Sequence, residues 1–187
     1  MAVRATRTVA LWVVLSAMGI ALAPIFWFPF LGTRAYPGQH MVNVLAGVML
    51  GPLSSTVVPL IVGTVRIALG LGTIFAYPGG IPGALMVGIF HRYLTSRFRR
   101  HVFRYLSALA EPIGTVLIGG TISLLLLAPL IGSGPLLALL NERGALGALP
   151  VFWSGWAVSS VPGSVLGYVL CLALNRALPE RALEWKR

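Results

Sequence analysis

Four side chains able to carry charge or fix hydrogen bonds lie within otherwise apolar stretches of this sequence. They are His40 and Asn43 in GQHMVNVLAGVMLGP, Arg66 in VRIALG, and Glu111 in SALAEPIGTV. Polar groups in lipid are costly and usually functional. An arginine and a glutamate buried together can form the polar floor of a solute site, or an ion pair that locks two helices; both uses are open and compatible. His40 and Asn43 are three apart and so share a helix face, suited to reading a heteroaromatic ligand, with Gln39 just before them as ordinary interfacial polarity. Tyr36, Tyr77, Trp153 and Trp156 fall at one level. There they form an aromatic belt or, with Trp153 and Trp156 at i and i+3, a stacking wall for a flat ring.

The elements that must position these groups follow from composition. Of 187 residues, 57% are apolar and only 10% charged, with mean hydropathy +0.90, against about 25% charged in soluble domains. Apolar stretches recur along the whole length, so the chain reads as a single all-α integral membrane domain with six transmembrane helices. The expected spans are 8–32, 40–51, 54–71, 81–94, 105–130 and 150–178. The first is long enough to span, lacks a small-residue cleavage site and is read as retained. Gly51-Pro52 breaks the second. Pro78, Gly79, Gly80, Pro82 and Gly83 read as a shaped lip at the entry to the fourth. Ala17 with Ala21, and Gly19 with Ala23, form small-xxx-small pairs on the first helix, for internal packing or a partner helix.

Fourteen Lys and Arg residues against four acidic ones, with no Asp, give a net charge of +10. In the six-helix arrangement eleven basic residues fall on one side: Arg4, Arg7, five arginines from Arg92 to Arg104, and Arg176, Arg181, Lys186 and Arg187. Only Arg34 and Arg143 fall on the other. That asymmetry places both termini in the cytoplasm, and a prokaryotic plasma membrane is the expected location. The basic segment RYLTSRFRRHVFR fits anionic lipid or a cytoplasmic partner, so no nucleic acid is needed to explain the charge.

Several enzyme classes lack their residues. There is no G-x-x-x-x-G-K-[ST] loop, so any ATP use belongs to another subunit. The absence of Asp removes paired-aspartate phosphotransferases, His40, His91 and His101 lack the H-E-x-x-H pattern, and no His follows the serines of the last helix. Cys171 is alone, so neither a disulfide nor a Cys metal site is expected. No cofactor is implied. Binding or transport remains.

GQHMVNVLAGVMLGP at 38–52, R-x5-GT-x-FA-x-PGGIPGAL at 66–85 and AEPIGT at 110–115 resemble the substrate-binding S component of energy-coupling factor (ECF) transporters assigned to the thiazole precursor of thiamine (ThiW). The resemblance spans 38–115; the first helix and the chain beyond Thr121 match in general character only. It implies an S-component bundle that binds hydroxyethylthiazole on the outer side and works with a transmembrane coupling subunit and two cytoplasmic ATPases. The small residues Ala17, Gly19, Ala21 and Ala23 then offer a face to that partner, while His40, Asn43 and Glu111, with an aromatic wall, meet the ligand. A neutral thiazole needs no cation, so Arg66 is either neutralised by Glu111 or directed at an anion such as a phosphorylated thiazole. An S component for a pyrimidine precursor or pantothenate, and a structural subunit without a ligand, are the other readings.

Overall fold

The computed structural model describes residues 2–30 and 33–178. Six helices make up most of it: α1 Ala2–Leu22, α2 Pro37–Leu50, α3 Pro52–Ala68, α4 Ala76–Arg97, α5 His101–Ile131 and α6 Gly134–Ala177. An antiparallel hairpin, β1 Phe28–Phe30 and β2 Thr33–Ala35, connects α1 to α2, with Phe28 opposite Ala35 and Phe30 opposite Thr33. α1, α5 and α6 each hold a stretch long and apolar enough to cross a membrane, and α3 is apolar but shorter. The all-helical class and the six helices agree with the sequence reading.

Several ends differ from it, for local reasons. α1 stops at Leu22 instead of continuing to 32, because Pro24 has no N–H to give and biases Ala23 away from helical angles. The chain turns there, with the Phe26 N–H donating to the Leu22 carbonyl at 2.7 Å. Positions 31 and 32 lie outside the described residues, as do Arg181, Lys186, Arg187 and the side chains of Arg4 and Arg34. α6 begins at Gly134, well before 150, and bends at Gly144, whose backbone (φ 62°, ψ 172°) is not helical.

The Gly/Pro stretch expected as a lip is helical from Ala76 onward. Pro78 falls in the first turn, where N–H groups have no intrahelical acceptor in any case. Pro82 does cost a bond, since it cannot donate to the Pro78 carbonyl four residues back. Gly119 of α5 packs on that carbonyl so closely that a β-carbon there would overlap it, and Gly114 does the same over the carbonyl of Pro82. Two prolines on one helix and two glycines on the other thus let the α4 and α5 backbones touch, the close approach that small residues permit in lipid.

α2 is the central helix, packed against α1, α4 and α6, with eleven of its fourteen residues buried. Val42, Val44 and Val48 have no exposed surface and meet Val62 of α3 and Val87 of α4 in the main apolar cluster. Gly19 of α1 sits on Val62. The small residues of α1 therefore divide: Gly19 and Ala23 are buried inside the fold, whereas Ala17 and Ala21 are exposed.

α3 ends in a Schellman closure. Gly70 takes φ +69°, the Leu71 N–H reaches the Arg66 carbonyl at 2.8 Å, and the Gly70 N–H reaches that of Ile67 at 3.0 Å. Arg66 is consequently in the last turn of its helix, not in the middle of a longer one. α5 winds wider than an α-helix over Ile113–Gly119 and again over Ser123–Leu127, a rare geometry frequent beside functional sites.

Candidate functional site

Glu111 has no exposed surface, and its carboxylate ties three helices together. From α2, His40 Nδ1 lies 2.8 Å and Asn43 Nδ2 3.0 Å from Oε1. From its own helix, Thr115 Oγ1 lies 2.6 Å from the same oxygen and 2.9 Å from the Gly79 carbonyl of α4, so its one hydrogen serves one of two acceptors. From α6, Ser160 donates to Oε2, and Ser164 Oγ stands 3.3 Å from it while bonding the Ser160 carbonyl at 2.8 Å. An ionised carboxylate offers about four lone-pair sites and no donor. A ring of N–H and O–H groups around it is therefore matched to the charged form and fills it. Gln39 Nε2 donates to Asn43 Oδ1 at 3.1 Å, which fixes the Asn43 amide with its nitrogen toward Glu111.

The spacing explains the convergence. His40 and Asn43 are one helical turn apart, as are Glu111 and Thr115, and Ser160 and Ser164, so each helix presents a pair of polar groups on one face. Gly83 of α4 faces the carboxylate from the fourth side: a β-carbon there would come within 2.5 Å of Glu111 Oε1.

Above this floor opens a cavity of about 770 Å³, lined by His40, Arg66, Tyr36 and Gln39 on one side and by Phe152 and Trp156 of α6 on another. The Phe152 and Trp156 rings are 5.2 Å apart and tilted by 43°, and Trp156 also lies against Gly79. Pro135, Leu136 and Leu139, from the part of α6 before the Gly144 bend, complete the wall. His40 spends Nδ1 on Glu111, and its Nε2 has no protein partner among the described residues. Gln39 Oε1 is buried and unbonded.

Arg66 does not pair with Glu111. Its guanidinium sits 4.0 Å over the Tyr36 ring and Nη2 donates to the Leu71 carbonyl at 3.3 Å, an oxygen that also accepts from the Tyr36 hydroxyl at 3.3 Å. The Tyr36 N–H in turn donates to Ser159 Oγ at 2.7 Å.

Of the seven ligand-site candidates, His40, Arg66 and Trp156 line the cavity; Asn43 and Glu111 lie beneath it as supports. Tyr77 and Trp153 do not line it. Tyr77 stands against Gly63 with its hydroxyl 3.1 Å from Thr64 Oγ1, and Trp153 lies over Gly120, donating to Thr121 Oγ1 at 3.2 Å. Sequence reasoning gave no site role to Thr115, Ser159, Ser160 or Ser164. The one available signal was a spacing of four residues, Thr115 from Glu111 and Ser164 from Ser160; Ser159 had none. No group of three or more His, Cys, Asp or Glu among the described residues is placed to hold a metal ion.

A family model described as thiamine-precursor transporter protein (ThiW) matches residues 9–177. No curated protein and no solved structure matches the chain.

Proposed function

The chain belongs to the ThiW family, whose members are transporters and not enzymes, and we propose that it is the solute-binding subunit of an importer for the hydroxyethylthiazole precursor of thiamine. It is a multi-pass membrane protein. The observation that carries the ligand reading is the cavity in which a carboxylate-anchored histidine faces an aromatic pair. Its size lies in the range of about 300–1,000 Å³ that holds small-molecule ligands. A thiazole offers a flat face, which suits Trp156, and a weakly basic nitrogen. Its arm offers a hydroxyl, which suits His40 Nε2 and the unbonded Gln39 Oε1. Asn43 and Glu111 act through His40 by fixing its position.

Import requires an energy source that this chain's sequence lacks, and the reading supplies it as a transmembrane coupling subunit with two ATPases. Ala17 and Ala21, exposed one turn apart on α1, are the small residues left for that partner; Gly19 and Ala23 are occupied within the fold. Orientation follows from α4. It starts beside the cavity at Ala76 and runs about 33 Å, at 1.5 Å per residue, to Arg97 in the basic segment. With that segment in the cytoplasm the cavity opens outward, on a prokaryotic plasma membrane with both termini inside.

Quenching of tryptophan emission in the detergent-purified protein tests the reading, with hydroxyethylthiazole, thiamine and the thiamine pyrimidine as titrants. Saturable quenching by the thiazole alone is expected; silence toward every titrant sinks the receptor reading in favour of a structural subunit. A second expectation separates the two tryptophans. Trp156→Phe should remove at least about half of the quenching amplitude, because a ring in contact with the ligand dominates such a signal. Trp153→Phe should keep the amplitude, and the reverse order would place the ligand elsewhere.

A further inference from the structure

Arg66 is only 6% exposed, yet among the described residues none around it carries a full negative charge. Glu111, the acidic residue in the neighbouring floor, is filled by donors from α2, α5 and α6. What Arg66 has is partial: one carbonyl, one aromatic face, and the end of its own helix, where a cation is favoured by the helix dipole. Its Nε is buried without a hydrogen-bond partner. A guanidinium presents five N–H donors in a fork that matches a carboxylate or phosphate, and one donation to a carbonyl leaves that capacity mostly unused.

The same side of the cavity carries a second feature of the same sign. Phe75, Ala76 and Gly79, at the start of α4, line the wall facing the ligand space, and a helix of 22 residues is electropositive at that end. Hence two electropositive features border a cavity larger than one five-membered ring with a two-carbon arm requires. The carboxylate that would oppose an anion is shielded beneath His40 and Thr115.

We propose that the Arg66 side of the cavity is an anion subsite, and that the ligand bound best carries a phosphate monoester, or a comparable anionic group, on the arm of its ring. The uncharged alcohol then fills only the His40 side. This rests on the reading of the cavity as the solute site. The phosphate's oxygens would take Arg66 as a charge-assisted, two-pronged donor, the strong class of hydrogen bond.

The test compares hydroxyethylthiazole with its phosphate monoester by calorimetry, in a maltoside micelle that carries no phosphate of its own. The ester is expected to bind about tenfold tighter or more, as a charge-assisted pair warrants. Arg66→Gln should bring the ratio of the two affinities to about one, and Arg66→Lys, a point charge without the fork, should retain part of the preference. An alcohol that binds the native protein as tightly as the ester overturns the subsite while leaving the receptor reading in place. A preference for the ester that persists in Arg66→Gln likewise assigns the arginine to holding Tyr36 and Leu71 alone. Failure of both compounds to bind removes the receptor reading itself, and the subsite with it. The ratio in the native protein tests the preference for the ester even where Arg66→Gln does not fold, and Arg66→Lys then tests the assignment to the arginine.

Discussion

Glu111→Ala is expected to abolish ligand binding, with affinity falling by about a hundredfold or more, or about 2.8 kcal/mol, and to lower the melting temperature of the purified protein. The substitution strands His40 Nδ1, the Asn43 amide and the Ser160 hydroxyl in the buried floor without their acceptor. Leaving a buried donor without its acceptor costs about 1–3 kcal/mol, because the group stays desolvated and unsatisfied. Glu111→Gln should behave differently. Its amide oxygen can still accept from His40, Asn43 and Thr115, and its NH₂ can donate to Ser160 and Ser164, whose hydroxyls turn to accept. That variant should melt close to the native protein and bind more weakly, by about tenfold, since charge-assisted bonds become neutral ones. Calorimetry and a melting curve on both variants check this. Equal loss in the two would mean that the carboxylate's charge, rather than its hydrogen-bonding shape, holds the floor together. Unchanged binding in Glu111→Ala would remove Glu111 from the site.

The second large effect is expected from a methyl group. Gly83→Ala places a β-carbon 2.5 Å from Glu111 Oε1 and 3.1 Å from its carboxyl carbon, distances that force the carboxylate or α4 to move. Overpacking a filled interior costs about 1–3 kcal/mol, and here the displaced group is the one that orients His40. Affinity should fall by about tenfold or more along with stability. Gly88→Ala serves as the comparison. Its added β-carbon would meet the Pro52 backbone at 2.5 Å, about one and a half turns further along the same helix, away from the cavity. It should lower the melting temperature comparably and leave the dissociation constant of the folded fraction unchanged. A fall in affinity shared by both variants would show that α4 transmits any strain to the site, and the special position of Gly83 would be lost.

The polar residues that looked out of place in apolar runs were the informative ones. His40, Asn43 and Glu111 stood out because lipid-embedded segments rarely hold such groups, and the fold gathers all three at one point. Arg66 stood out for the same reason, and of the two uses left open for it the pair with Glu111 is not formed, because Glu111 takes its donors from three helices. The serines and Thr115 were silent because a hydroxyl in a helix can satisfy itself on the carbonyl four residues back, as Ser164 in part does. Trp153 and Trp156 at i and i+3 sit about 60° apart around a helix, enough to send one toward α5 and one into the cavity. The span of α1 was overestimated because hydropathy counts Phe28 and Phe30 as helix-compatible and gives no weight to Pro24. The early start of α4 was missed because a run of glycines and prolines reads as loop, whereas here the glycines of α5 cover the carbonyl that Pro82 leaves without its donor.

The cavity wall formed by Pro135, Leu136 and Leu139 belongs to a ten-residue stretch of α6, 134–143, set off by left-handed glycines at Gly132 and Gly144. Neither glycine would meet a neighbour within 4 Å if it carried a side chain, so the two bends that bound the stretch are not locked by packing. The floor under His40, in contrast, is welded from three helices at once. With the cavity read as the solute site, size discrimination and folding fall to different parts of the chain. A library confined to positions 135, 136 and 139 would sample receptors for longer or bulkier arms without disturbing the carboxylate that organises the rest.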